Sequence, residues 1–131
     1  MEYDIDERNK MGNVNCSKVN VNKGQYGWGV FANNDYKKGE ILETGLMMPL
    51  VNVDGNENPH LFTWSDDRKK WASGSGCLSF YNHSNDPNIK KIGDLKNDIM
   101  TIVALRDIKQ GEELFNTYFS ATWRLCFHDI N

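Results

Sequence analysis

A chain of 131 residues with a net charge of −3 and 25% charged residues has room for one domain; it carries neither a nucleic-acid-binding basic stripe nor the acidic excess of a disordered tail. No apolar run approaches the ~20 residues that a membrane-spanning helix needs, so neither direct nucleic-acid binding nor a membrane span is expected. Cys16, Cys77 and Cys126 are odd in number, far apart in sequence and without a C-x-x-C pair. That spacing argues against a disulfide framework and a structural zinc site. No metal is expected, and the thiols read as small buried groups in a reducing compartment, cytoplasm or nucleus.

Residues 1–12 form a polar N-terminal segment without periodicity, and residues 13–131 read as a single domain. The opening MEYDIDERNK has no apolar h-region, so the protein is not expected to be secreted, and the N-x-S patterns at Asn15 and Asn82 are not read as glycosylation sites. From Cys16 the pattern becomes strand-like, with Val19 and Val21 alternating against Lys18, Asn20 and Asn22. Gly27-Trp28-Gly29-Val30-Phe31-Ala32 matches the dinucleotide fingerprint G-x-G-x-x-A. That fingerprint requires a helix directly afterwards, whereas Asn33 to Gly39 is turn-forming. The glycines therefore read as permitting close backbone approach to a ligand or another strand.

A Lys38-Gly39 turn leads to a strand through Ile41, Leu42 and Glu43, and residues 44–50 are apolar enough for a buried strand. Residues 52–59 are Asn, Asp, Gly and Pro, a loop. Leu61 to Trp64 reads as a short strand with two large anchors, and 65–76, polar and then glycine-rich, has room only for a helical turn. Phe80 to Asn88, FYNHSNDPN, runs two aromatics into Asn82, His83 and Ser84 before Pro87 interrupts regular structure. On composition alone these residues read first as a surface turn, with a polar site as the alternative that the spacing to the Gly111–Tyr118 segment supports. Residues 90–96 read as a hairpin bend at Gly93-Asp94, and the β-branched run DIMTIVAL at 98–105 as a strand. A reversal at 107–111 then leads to a strand through Glu112 to Phe115, and an aromatic tail at 118–127 holds Phe119, Trp123, Leu125 and Phe127 with room for a helix. A strand ending on Tyr118 would return the chain to Asn82 and His83. The architecture is mostly β.

Four segments in order, GWGVFA at 27–32, Lys38-Gly39-Glu40, HLFTW with GCLSFYNHSNDPN, and IVALRDIKQGEEL ending on Tyr118, together resemble the SET domain of protein lysine methyltransferases over residues 15–124. The resemblance implies a β-clip-like fold of several small sheets with a few short helical turns, closed by a C-terminal pseudoknot. It implies S-adenosylmethionine as cofactor and, as partner, a protein substrate with an exposed lysine, such as a histone tail. It further implies that Gly27, Trp28 and Gly29 offer backbone groups to the cofactor and that Asn82 and His83 hold its amino-acid and adenine parts. The carbonyls of Ser79 and Tyr81 would line the methyl, Trp123 would cover the adenine, and Tyr118 would stand beside the reacting methyl as the catalytic residue. The alternative is a weak or inactive SET-fold module that binds a basic protein. Where many members carry a Cys after N-H-S this chain has Asn85, and its tail holds only Cys126. A zinc-bound lid is therefore not expected, as in small members of viral and bacterial type. Without flanking modules, a homodimer covering the 44–50 stretch or the aromatic tail is expected.

Overall fold

The structure, a computed structural model, describes residues 14–58 and 60–117. The expectations for residues 1–12, for the tail at 118–127 and for Tyr118, Trp123 and Cys126 fall outside the described residues.

The described chain forms two five-stranded sheets and one 3-10 turn at Leu78–Phe80. The first sheet is ordered β1 (Val14–Asn15), β2 (Val19–Gly24), β3 (Gly27–Ala32), β10 (Glu113–Asn116) and β7 (Asn82–His83). The second is ordered β5 (Phe62–Thr63), β6 (Trp71–Gly74), β4 (Ile41–Leu50), β9 (Ile99–Ala104) and β8 (Ile89–Asp94). This is the mostly β, multi-sheet architecture expected from the resemblance.

Alternation builds both sheets. In β2 the side chains of Val19 and Val21 are buried while Asn20 and Asn22 are not, and in β9 Met100, Ile102 and Ala104 turn inward. Val19, Val21, Val30 and Leu114 meet Leu78, Ile89 and Ile102 in one apolar cluster. Full burial of such aliphatic side chains contributes about 1.5–3 kcal/mol each. β2 and β3 form a tight antiparallel hairpin, with Val21 opposite Val30 and Gly24 opposite Gly27.

The late strand β10 inserts between β3 and β7. It runs antiparallel to β3, with Leu114 opposite Val30, and parallel to β7, with Phe115 opposite Asn82 and Asn116 opposite His83. Parallel pairing requires the chain to leave the sheet and return, and the β8–β9 hairpin of the second sheet occupies that excursion.

Three expectations are corrected. The 44–50 stretch is not a buried strand: β4 continues through it, but only Met47 is buried there, and Leu46 stands 63% exposed with Met48 and Leu50 also outward. Apolar character on both faces of a strand does not require two covered faces, and this one is covered on one side. Residues 65–76 hold a strand, β6, where the sequence suggests only a helical turn; Trp71 and Ala72 are buried, and pairing with both β4 and β5 supplies order that four residues ending in Ser and Gly do not signal. The hairpin bend is not at Gly93-Asp94, since both lie in β8 paired with Met100 and Ile99. Gly93 serves packing instead, because a Cβ there would come within 3.2 Å of the Trp64 ring. The reversal follows at 95–98, where Asn97 donates to Asp94 through backbone and side chain.

Candidate functional site

The insertion of β10 draws together segments more than 50 residues apart in sequence. Asn82, on the two-residue β7, donates from Nδ2 to the carbonyl of Trp28 at 3.0 Å and to Glu113 Oε2 at 2.9 Å. One carboxamide thus ties the glycine strand β3, the late strand β10 and the Asn-His motif. The approach is close enough to need Gly29: a Cβ at that position would lie 2.5 Å from Glu113 Oε2 and 3.0 Å from Asn82 Nδ2. Gly27 takes φ 84° at the end of the hairpin, a left-handed conformation that favours glycine. Between them, Trp28 is 45% exposed, with the Lys23 ammonium over its ring at 5.1 Å from the centroid.

His83 faces Asn85 across 3.1 Å, Nε2 to Oδ1. Beyond it, the Ser84 amide donates to the Asn116 carbonyl at 3.0 Å, and Thr117 Oγ1 donates to the Ser84 carbonyl at 2.7 Å. The chain leaving β10 is therefore bound to the residue directly after His83, one position before Tyr118. Tyr26 packs its ring edge-on to Phe115 beside this exit, at 5.9 Å between centroids.

Upstream, the 3-10 turn packs against β3 and carries Ser79. Ser79 Oγ donates to the His60 carbonyl at 3.2 Å, and its own carbonyl lies 3.4 Å from His60 Nδ1. Tyr81 sends its ring into the core and donates its hydroxyl to Glu43 Oε1 at 2.7 Å. Burial first, and then the Glu43 carboxylate, push the Tyr81 phenol well above its ordinary pKa, so it stays a neutral donor.

Of the expected site residues, Trp28, Gly29 and Asn82 are brought into direct contact, and His83 sits beside them through the β7–β10 pairing. Gly27 is adjacent in chain. Ser79 and Tyr81 precede the motif, with the Tyr81 side chain directed to Glu43 rather than toward the Trp28 loop. Tyr118 and Trp123 lie outside the described residues.

Three residues that sequence reasoning left without a role support the site. Glu113 fixes Asn82, and Glu43 fixes Tyr81. Asn88, 1% exposed, has its Nδ2 donate to the Glu113 carbonyl at 2.8 Å while its Oδ1 accepts from the Phe115 amide at 2.7 Å. Its backbone carbonyl also accepts from Leu105, so it joins β10 to the chain leaving β9. A polar residue directly after Pro87 in a segment flanked by apolar strands was the available signal for Asn88. The two glutamates gave none.

A SET-domain family model matches residues 27–119. A curated relative, the histone-lysine N-methyltransferase specific for H3 lysine-37 of Schizosaccharomyces pombe, is 33% identical over 66 residues. The match spans 50% of this chain and 44% of that protein, less than half the relative's length. Among solved structures, a Plasmodium falciparum protein provisionally named a histone methyltransferase superposes with a TM-score of 0.65 at 24% identity, covering 79% of this chain and 94% of that one, a likeness of fold. A chain of Polycomb Repressive Complex 2 from Chaetomium thermophilum, in an autoinhibited conformation bound to S-adenosylmethionine, superposes with a TM-score of 0.65 at 25% identity, covering 80% of this chain and 16% of that one. With its glycine strand, Asn-His motif and inserted β10 all inside the matched span, the chain belongs to the SET-domain family.

Proposed function

We propose that this protein is an S-adenosylmethionine-dependent protein-lysine N-methyltransferase that acts on a lysine of a protein such as a histone tail, inside the cell. The observation that carries the reading is the Asn82 clamp, because it assembles one polar surface from the Trp28 loop, the Asn-His motif and the strand leading to Tyr118. The histone methyltransferase relative and the S-adenosylmethionine-bound neighbour support it.

The residues present suit that cofactor. Both side-chain bonds of Asn82 among the described residues use its Nδ2, and its Oδ1 accepts none there, which leaves a carboxamide oxygen to receive an ammonium. The half-exposed Trp28 and the His83 imidazole offer flat faces for a ring. When bound, S-adenosylmethionine would supply an electrophilic methyl on its sulfonium, passed in line to the neutral lysine amine while the C–S bond breaks, the neutral thioether leaves and the proton of the new ammonium goes to water. The protein's part is to orient and to dry. A lysine has an ordinary pKa near ~10.4, so presenting its neutral amine near neutral pH costs about 4 kcal/mol; an apolar channel lowers that pKa. Aligning two bound reactants supplies roughly 7–11 kcal/mol. Tyr118, one residue past the Thr117–Ser84 bond, is proposed to orient the reacting groups with its hydroxyl, and Trp123 to cover the adenine.

Calorimetry tests the cofactor half of the reading. Chelator-treated protein is expected to bind S-adenosylmethionine at one site per chain, with His83→Ala weakening it by roughly tenfold, the ~1.4 kcal/mol of a lost hydrogen bond to a charged or polar ligand group. Absence of any heat of binding in folded protein would sink it.

A further inference from the structure

We propose that Cys16, Cys77 and Glu43 form a binding site for a thiophilic divalent cation of the zinc class. Cys16 sits in the turn between β1 and β2, and Cys77 at the start of the 3-10 turn, 61 residues later. That separation hides the pair from any reading of spacing. The fold brings their Sγ atoms to 3.1 Å, with Cys16 Sγ 3.7 Å from Glu43 Oε2 and the three ligand atoms all within 4.8 Å of one another. Two thiols and a carboxylate are a donor set for zinc.

A second observation points to a cation independently. Glu43 is only 8% exposed, yet among the described residues its partners are neutral donors: the Cys77 amide at 2.8 Å, the Tyr81 hydroxyl at 2.7 Å and the Cys16 thiol. Among the described residues no Lys, Arg or His forms an ion pair with it. Buried charges are ordinarily paired or bound to metal.

The surroundings also leave room. Gly76 has φ 58°, and a Cβ there would lie 2.6 Å from Glu43 Oε2 and 3.3 Å from Cys16 Sγ, so the missing side chain keeps the space between thiol and carboxylate open. A cavity of about 280 Å³, lined by Cys16, Glu43, Thr44, Ser75 and Gly76 among others, opens onto the cluster. It provides an entry path and space for water as a fourth ligand. Lys18 lines the same cavity, but its ammonium is matched by Glu40 at 3.1 Å.

A disulfide is the competing use of two neighbouring thiols. Two thiolates on one tetrahedral zinc, each at ~2.3 Å, stand about 3.8 Å apart, whereas a disulfide requires ~2.05 Å. From 3.1 Å the cation needs the smaller movement. A coordinated dication displaces the thiol protons itself. The balanced step is one dication plus two thiols and one carboxylate giving the bound ion and two released protons. Because Glu43 also holds the Tyr81 hydroxyl, the ion would staple the β1–β2 turn to the segment that leads into Asn82 and His83.

The test is cobalt titration of the full reduced, chelator-treated chain under anaerobic conditions. One equivalent is expected to give a thiolate-to-cobalt charge-transfer band that zinc abolishes, and zinc is expected to raise the melting temperature. Cys126→Ser should keep both signals. Cys16→Ser, half-buried and close in size, should retain the fold but lose part of the band, and with it more affinity than the roughly 10- to 100-fold that losing an outer-shell partner costs. Glu43→Gln, read by the same band, serves as the second variant. The proposal is overturned if folded wild type gives no band, if Cys16→Ser binds as tightly as wild type, or if two thiols under air lose two hydrogens by mass while the reduced chain takes up no metal.

Discussion

Replacing Asn88 by Ala tests whether the inserted strand is held by one side chain. Asn88 is buried, and its carboxamide answers two backbone groups of β10, the Glu113 carbonyl at 2.8 Å and the Phe115 amide at 2.7 Å. Alanine cannot reach either, and the site is too enclosed for water to reach both freely. An unsatisfied buried polar group costs about 1–3 kcal/mol, so the pair predicts a loss of about 2–6 kcal/mol. Against a typical total of 5–15 kcal/mol, that is a large fraction. Urea unfolding followed by tryptophan fluorescence measures it as a fall in midpoint at unchanged slope. Asn88→Asp sharpens the argument, since it keeps the acceptor for Phe115 but turns a carboxylate toward the Glu113 carbonyl. That variant is expected to be destabilised near neutral pH and to recover partly in acid, where a protonated carboxyl again donates. A loss below ~1 kcal/mol for Asn88→Ala would refute the claim that this residue anchors β10.

Two further outcomes are expected. Glu40, held down by the Lys18 ammonium, Asp67 by the Ser65 hydroxyl, Asp94 by the Asn97 side chain and Asp107 by the Lys38 amide all lie below their ordinary pKa in the folded chain. The unfolded chain therefore binds more protons in acid, and stability present above the unfolded values should fall steadily below about pH 5; a flat or rising unfolding midpoint between about pH 6 and about pH 3 would contradict this. Sedimentation at micromolar concentration is expected to show a dimer that Leu46→Asp dissociates, since Leu46, Met48 and Val51 form an exposed apolar stretch on and just after β4. A wild-type monomer would reject that assembly.

Much of the site was legible because its residues are unusual where they stand. Glycines around Trp28 with no helix to follow point to close backbone approach, and the structure supplies its target in Glu113 and Asn82. The strand at 98–105 was legible from β-branching, and β9 occupies it. What could not be read were features set by tertiary pairing. β6 has too few residues to signal a strand and is ordered by its two neighbours. Gly93 looked like a turn residue but makes way for Trp64. Glu43 lies in an apolar strand where a single carboxylate suggests an exposed position, and only the fold shows it buried beneath Tyr81. The Cys16–Cys77 pair is the same lesson, since 61 intervening residues conceal a contact of 3.1 Å.

The most direct measurement of the proposed activity is single-turnover methyl transfer from labelled S-adenosylmethionine to a panel of basic proteins that includes histones, with mass spectrometry of the product. The wild type is expected to place the label on a lysine side chain. Tyr118→Phe should keep the melting temperature and most cofactor affinity yet lose roughly a hundred- to a thousandfold in rate, the about 2.7–4 kcal/mol that one oriented hydrogen bond contributes in comparable sites. Folded, cofactor-bound wild type that labels no lysine would contradict the methyltransferase reading and favour a binding module, and an unchanged rate in Tyr118→Phe would remove that hydroxyl from the mechanism.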